Sequence, residues 1–185
     1  MSVLWVIARS AGLVSMVALT ATVVFGIVSS ADFPKGTWSR WLRKEVHRRI
    51  ALVACAMLGL HIAAVVLDSF VDVGWVNVIV PFSSTYDRLG IGLAAISIDL
   101  IIVLVATSLA QKHLRFVTWQ VIHVTAYLAW PIAILHGLVS GTDDLLTWLL
   151  ALVGALAVVT VATIRIGHQR KHPASASVKR PSVSA

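Results

Sequence analysis

The sequence predicts an all-α membrane protein, a bundle of five transmembrane helices with the N-terminus outside and the C-terminus in the cytoplasm. Three observations predict it. Of 185 residues, 58% are hydrophobic and 12% charged, more apolar surface than a soluble domain of this size can bury in one core. The apolar residues fall into five stretches of about 20 residues, each able to cross a hydrocarbon layer about 30 Å thick at about 1.5 Å per residue. The basic residues, finally, gather on alternate connections between those stretches, and this sets the orientation.

The first span, 4–28, carries Arg9 toward its outer end and stops before Ser29-Ser30-Ala31, small residues that imitate a signal-peptide cleavage site. Cleavage there would leave the densest basic segment outside, so a retained helix is the expectation. That segment holds Lys35, Arg40, Arg43, Lys44, Arg48 and Arg49 and leads into the second span, 46–67. Residues 68–89, "DSFVDVGWVNVIVPFSSTYDRL", have an apolar half too short to cross, and are expected to lie along the interface or fold over the bundle. The third span, 90–110, has Asp99 near its middle, either as a proton or quinone contact or as a neutral acid bonded to a neighbouring helix. Lys112 and Arg115 precede the fourth span, 116–139, which is interrupted by Pro131. Asp143 and Asp144 read as a solvated cap for the fifth span, 145–166. Arg165, Arg170, Lys171, Lys179 and Arg180 stand at its end and beyond. Residues 1–166 therefore form one membrane domain, and 167–185 a disordered basic cytoplasmic tail rich in Ser and Pro.

The net charge of +7 reports this orientation and an attraction to anionic membrane lipid, not nucleic-acid binding. The lone Cys55 excludes an internal disulfide and a C-x-x-C-H covalent haem site. There is no Gly-rich phosphate loop and no dinucleotide fingerprint. Whatever the protein does happens in the membrane or at its two surfaces.

The histidines carry it. Of seven, His113, His168 and His172 lie beside Lys and Arg in cytoplasmic segments and read as solvated surface groups. His47, His61, His123 and His136 lie in the second and fourth spans, where ionisable groups are costly and face a site inside the bundle. His47 and His61 are 14 residues apart, about 21 Å along a helix and within about 40° of one face. His123 and His136 are 13 apart, about 19.5 Å. The two spans run parallel, so depth pairs His47 with His123 and His61 with His136. Facing imidazoles suit the two axial positions of a haem iron, whereas zinc wants its ligands converging on one tetrahedral point. The small residues Ala51, Ala54, Ala56 and Gly59 would open space for a flat ring, though such residues also serve ordinary helix packing. A 13-residue spacing sets His136 about 140° from His123 on an ideal helix, and the kink expected at Pro131 must help to close the gap.

With these histidines in place, the chain resembles the ferric reductase-like transmembrane domain family, the haem-binding membrane core of NADPH oxidases and ferric reductases. The likeness covers nearly all of residues 4–166. It is carried by "ARSAGLVSMVALTATVVFG", by His47 and His61, by "PFSSTYDRLGIGLAAISIDL", and by "TWQVIHVTAYLAWPIAILHGLVSGTD" with His123 and His136. The resemblance implies two b-type haems conducting electrons across a bacterial cell membrane, from cytoplasm to exterior. Arg9 matches an arginine expected near the outer haem, its other reading being a residue snorkelling to the surface. Larger family members continue into a flavin and nicotinamide domain, whereas here only a short tail follows the fifth span. The resemblance thus implies a separate flavin-containing partner or a quinone as the electron donor or acceptor. No catalytic residue is expected, and Trp119 and Tyr127 read as packing and interfacial anchors. Two other classes stay open at this stage: a quinone-linked cytochrome b subunit, and a haem-free membrane scaffold whose histidines bridge helices.

Overall fold

The computed structural model describes residues 2–30, 39–141 and 144–171. The described residues are helical nearly throughout: α1 (Val3–Ser30), α2 (Arg40–Leu67), α3 (Trp75–Ile79), α4 (Arg88–Leu109), α5 (Phe116–Val124), α6 (Ala126–Ser140) and α7 (Asp144–Lys171), with a 3-10 turn at Gln111–His113. Five segments are long and apolar enough to cross a membrane: Val3–Ser29, Trp41–Leu67, Arg88–Leu109, Phe116–Ser140 and Leu145–His168. Leu52, Val53, Ile102, Val121, Leu152 and Leu156 are among many large apolar side chains left exposed on their outer surfaces, as expected where lipid is the solvent.

Two boundaries differ by more than two residues from the sequence expectation. Helix α2 starts at Arg40, six residues ahead of the expected 46, because Ser39 caps it by accepting the Leu42 N–H (3.1 Å), and Arg, Leu and Lys are good helix formers. Helix α7 continues through Lys171, past the expected end at 166. Lys35, Asp143, His172 and the rest of the proposed tail lie outside the described residues.

Helices α1 and α2 pack along one another, α4 packs on α6, and α1 also touches α6 and α7. Helix α2 does not pack closely, backbone to backbone, on α5 or α6. The histidine-bearing helices are therefore separated by a slot that α1 closes on one side. At its wall Met16, Ile134 and Ala151 form a small buried cluster, flanked by Trp130, Leu138 and Leu150. Trp130 ties α6 to α1: its Nε1–H donates to Thr20 Oγ1 (3.0 Å), whose own hydroxyl donates to the Met16 carbonyl (2.8 Å). Trp130→Phe keeps the ring and removes this bond. It should cost about 1 kcal/mol, read as a lowered melting temperature in detergent.

The loop after α2 folds over the bundle rather than trailing away. Short helix α3 packs on α4, and Asn77 braces it by accepting the Gly74 N–H (2.8 Å) and donating to Ser83 Oγ (3.0 Å). Phe82 adopts φ 60°, a left-handed conformation unusual for an aromatic residue, and its ring covers Gly92 of α4 where a Cβ would collide with it. At the start of this loop the Asp68 carboxylate accepts from Ser2 Oγ (2.6 Å) and from the Phe70 N–H (3.1 Å), pinning the N-terminus of α1 to the end of α2. The Ser2 hydroxyl first, and the Phe70 amide second, hold the carboxyl below its ordinary pKa. A lowered native pKa stabilises the fold above the ordinary carboxylate range, and that contribution is lost as the pH falls through the native value. Asp68→Asn should therefore melt earlier than the parent at neutral pH, and the two melting temperatures should converge under acid.

Candidate functional site

The four histidines meet in two pairs, at two levels of the bundle. His47 of α2 faces His123 of α5 with ring centroids 6.2 Å apart and planes at 69°. His61 of α2 faces His136 of α6 at 6.3 Å and 63°. The pairing expected from depth alone is thus the pairing in space. The fourth span is broken at Thr125, between α5 and α6, six residues ahead of Pro131. There the Thr125 N–H and the Leu128 N–H both bond three residues back (3.0 and 2.9 Å), and Thr125 Oγ1 donates to the Ile122 carbonyl (2.7 Å). A turn so tightened adds about 20° of rotation per residue relative to an α-helix. Pro131 itself stays inside α6, where it offers no N–H to the carbonyl four residues earlier.

Three of the four rings are oriented by backbone carbonyls. His47 Nδ1–H donates to Thr22 (3.0 Å), His61 Nδ1–H to Ala8 (2.7 Å) and His136 Nδ1–H to Gly90 (2.8 Å). A carbonyl only accepts, so in each neutral ring the hydrogen sits on Nδ1 and the lone pair on Nε2. This is the arrangement by which proteins fix and strengthen metal-binding imidazoles. His123 differs: its buried Nδ1 has no hydrogen-bond partner among the described residues. It is held instead by Trp119, one turn earlier, stacked on it at 4.7 Å and 22°. The packing expected of Trp119 is thus on a ring of the first pair.

The two carbonyls on α1, Ala8 and Thr22, are 14 residues apart, as are His61 and His47 on antiparallel α2. Four residues after each comes a glycine, Gly12 and Gly26. A helical side chain leans back over the turn that precedes it and would cover the carbonyl four residues earlier. Glycine leaves that carbonyl open to a second donor. A Cβ on Gly12 would stand 2.9 Å from His61 Nδ1, and one on Gly26 would stand 3.4 Å from His47 Cε1. These glycines were not singled out in the sequence, although their spacing, equal to that of the histidines, was the available signal. The small residues that were singled out on α2 behave otherwise. Ala54 is buried, but Ala56 and Gly59 are exposed on the outer surface, and a Cβ on Gly59 would touch nothing. They do not line the slot.

A cavity of 280 Å³ surrounds the second pair, lined among others by Arg9, Gly12, His61, Trp130, His136 and Ser140. Arg9 thus borders the same space as two of the histidines, with its guanidinium 4.9 Å over the Trp5 ring. Asp99 is half-buried on α4 and does not line this cavity. Cys55 is half-buried and free, and His113 and His168 are exposed. Among the described residues no group of three or more His, Cys, Asp or Glu side chains converges, so each level offers two imidazole nitrogens.

That donor set can be tested against a metal group. With metal–nitrogen bonds of about 2 Å and about 1.2 Å from nitrogen to ring centre, two imidazoles on opposite sides of one metal stand about 6.4 Å apart. The observed 6.2 and 6.3 Å match. Two nitrogens alone leave a tetrahedral ion half-coordinated, whereas a planar macrocycle brings its own four. In number and in ring spacing these donors suit a group of that kind. Comparison of the chain with protein-family models, with curated proteins and with solved structures finds no match.

Proposed function

We propose that this protein is a membrane b-type cytochrome that carries electrons across the bilayer through two stacked haems, His47 and His123 holding one, His61 and His136 the other. The observation that carries the reading is the double coincidence of ring spacing, 6.2 and 6.3 Å, at two levels of one slot. Bound haem would supply reversible one-electron redox chemistry. The chain's own part is to hold the groups at fixed separation, about 20 Å along the helix axes. Thr22, Ala8 and Gly90 orient three ligands, and the apolar wall around Met16 and Ile134 keeps water from the slot. Arg9 would offer a cation to the acidic edge of the group held by His61 and His136.

The resemblance to the ferric reductase-like transmembrane family supports this reading and extends it. It suggests a cell-membrane protein with the N-terminus outside, delivering electrons outward as the transmembrane subunit of a reductase system. The donor would be a separate flavin-containing protein or a quinol. Reconstitution into liposomes with ferricyanide trapped inside and dithionite outside tests conduction directly. The haem-loaded protein should bleach the trapped ferricyanide, and the His61→Ala variant should not. Equal rates with and without protein would refute electron conduction.

A further inference from the structure

Asp87 does more than end a loop. It caps α4, its Oδ1 accepting the Gly90 N–H (2.9 Å). A capping carboxylate ordinarily leaves its second oxygen to water. Here Oδ2 accepts from Ser140 Oγ (2.5 Å), and Ser140 stands four residues after His136 on α6. The Gly90 carbonyl accepts His136 Nδ1–H (2.8 Å), while the other end of the same peptide, the Ile91 N–H, donates to the Asp87 carbonyl (3.0 Å). The contacts close a ring: Asp87 to the first turn of α4, that turn to His136, one turn of α6 to Ser140, and Ser140 back to Asp87. Gly90 is required within it, because a Cβ there would overlap Ser140 Oγ and the Asp87 carboxyl group.

We propose that Asp87, clasped by Ser140, is a positioning residue for His136, and that its negative charge lowers the reduction potential of the His61–His136 level alone. The proposal rests on the two-haem reading above. Three features lead to it. Gly90 bonds the carboxylate through its N–H (2.9 Å) and His136 through its carbonyl (2.8 Å), so one residue separates the charge from the imidazole. A carboxylate close to a ligand's hydrogen-bond partner favours the more positive, oxidised state of whatever the ligand holds. Among the described residues the His47–His123 level has no carboxylate so placed, for His47 is tied to a carbonyl inside α1, and His123 is stacked on Trp119 without a bonded Nδ1.

Potentiometric titration of the purified haem-loaded protein, followed by visible spectra, tests it. The parent should titrate as two components, and His61→Ala identifies the one that belongs to the His61–His136 level. Asp87→Asn can still cap Gly90 and still meet Ser140, so it removes charge and little else. It should raise that component's potential by a tenfold change in the redox equilibrium, about 59 mV for one electron, and leave the other in place. Asp87→Glu should return most of the shift. If Asp87→Asn fails to fold, Asp87→Ser, which keeps a capping oxygen for the Gly90 N–H but carries no charge, takes its place and must raise the same component alone. A shift of neither component, or of both alike, overturns the proposal while the two-haem reading stands. A parent protein without haem overturns both.

Discussion

Replacing His61 with alanine should halve the haem content of the purified protein, from two to one per chain, and abolish electron transfer across a bilayer. The level that survives should be the one held by His47 and His123. The selectivity follows from geometry. Fourteen residues of α2, about 21 Å, separate His61 from His47. The second ligand of each level comes from a different helix, α5 or α6, across the Thr125 break. Neither ring of one pair is oriented by a group that orients the other. His113→Ala, in the exposed 3-10 turn, should change nothing. Loss of both haems from His61→Ala, or of neither, would contradict the assignment of ligands to levels.

Gly12→Val should nearly reproduce that loss without touching a histidine. The new Cβ would sit 2.9 Å from His61 Nδ1, closer than side-chain contacts allow, and its methyl groups would cover the Ala8 carbonyl to which His61 donates. The ring cannot retreat without giving up both the hydrogen bond and its place opposite His136. Removing a group that orients a metal ligand weakens binding by about 10–100-fold, so the haem held by His61 and His136 should be lost on dilution or gel filtration. Gly26→Ala should be far milder, since its Cβ would lie 3.4 Å from His47 Cε1, within ordinary contact. The contrast between the two substitutions, read as haem per chain and as the remaining spectrum, checks that α1 sets the rotation of both α2 histidines. Equal effects would show that mere crowding of α1 on α2 is responsible.

Much of the fold was legible because lipid imposes a simple code. Length and hydropathy locate all five spans, and spacing along α2 and α5–α6 is enough to pair the histidines by depth. Rotation about each helix was harder to read. Hydropathy does not distinguish Ala54, which is buried, from Ala56 and Gly59, which face outward, because lipid accepts apolar residues on either side. The tightened turn at Thr125, where the hydroxyl offers an alternative bond, was not marked in the sequence as Pro131 was. The start of α2 was hidden because basic residues marked a loop by charge while favouring helix by propensity. Asp87 could be read as a helix cap. Its contact with Ser140, 53 residues away, could not, because nothing local in either residue points to the other.

Under the proposed function each level of the slot clamps one haem. Pyridine haemochrome assay of the protein purified from haem-replete cells, normalised to protein by amino-acid analysis, tests it most directly. Two b-type haems per chain, with a reduced spectrum typical of two imidazole ligands, is the predicted result. A folded, helical protein that contains no extractable haem would contradict the account, and the paired histidines would then be no more than links between helices.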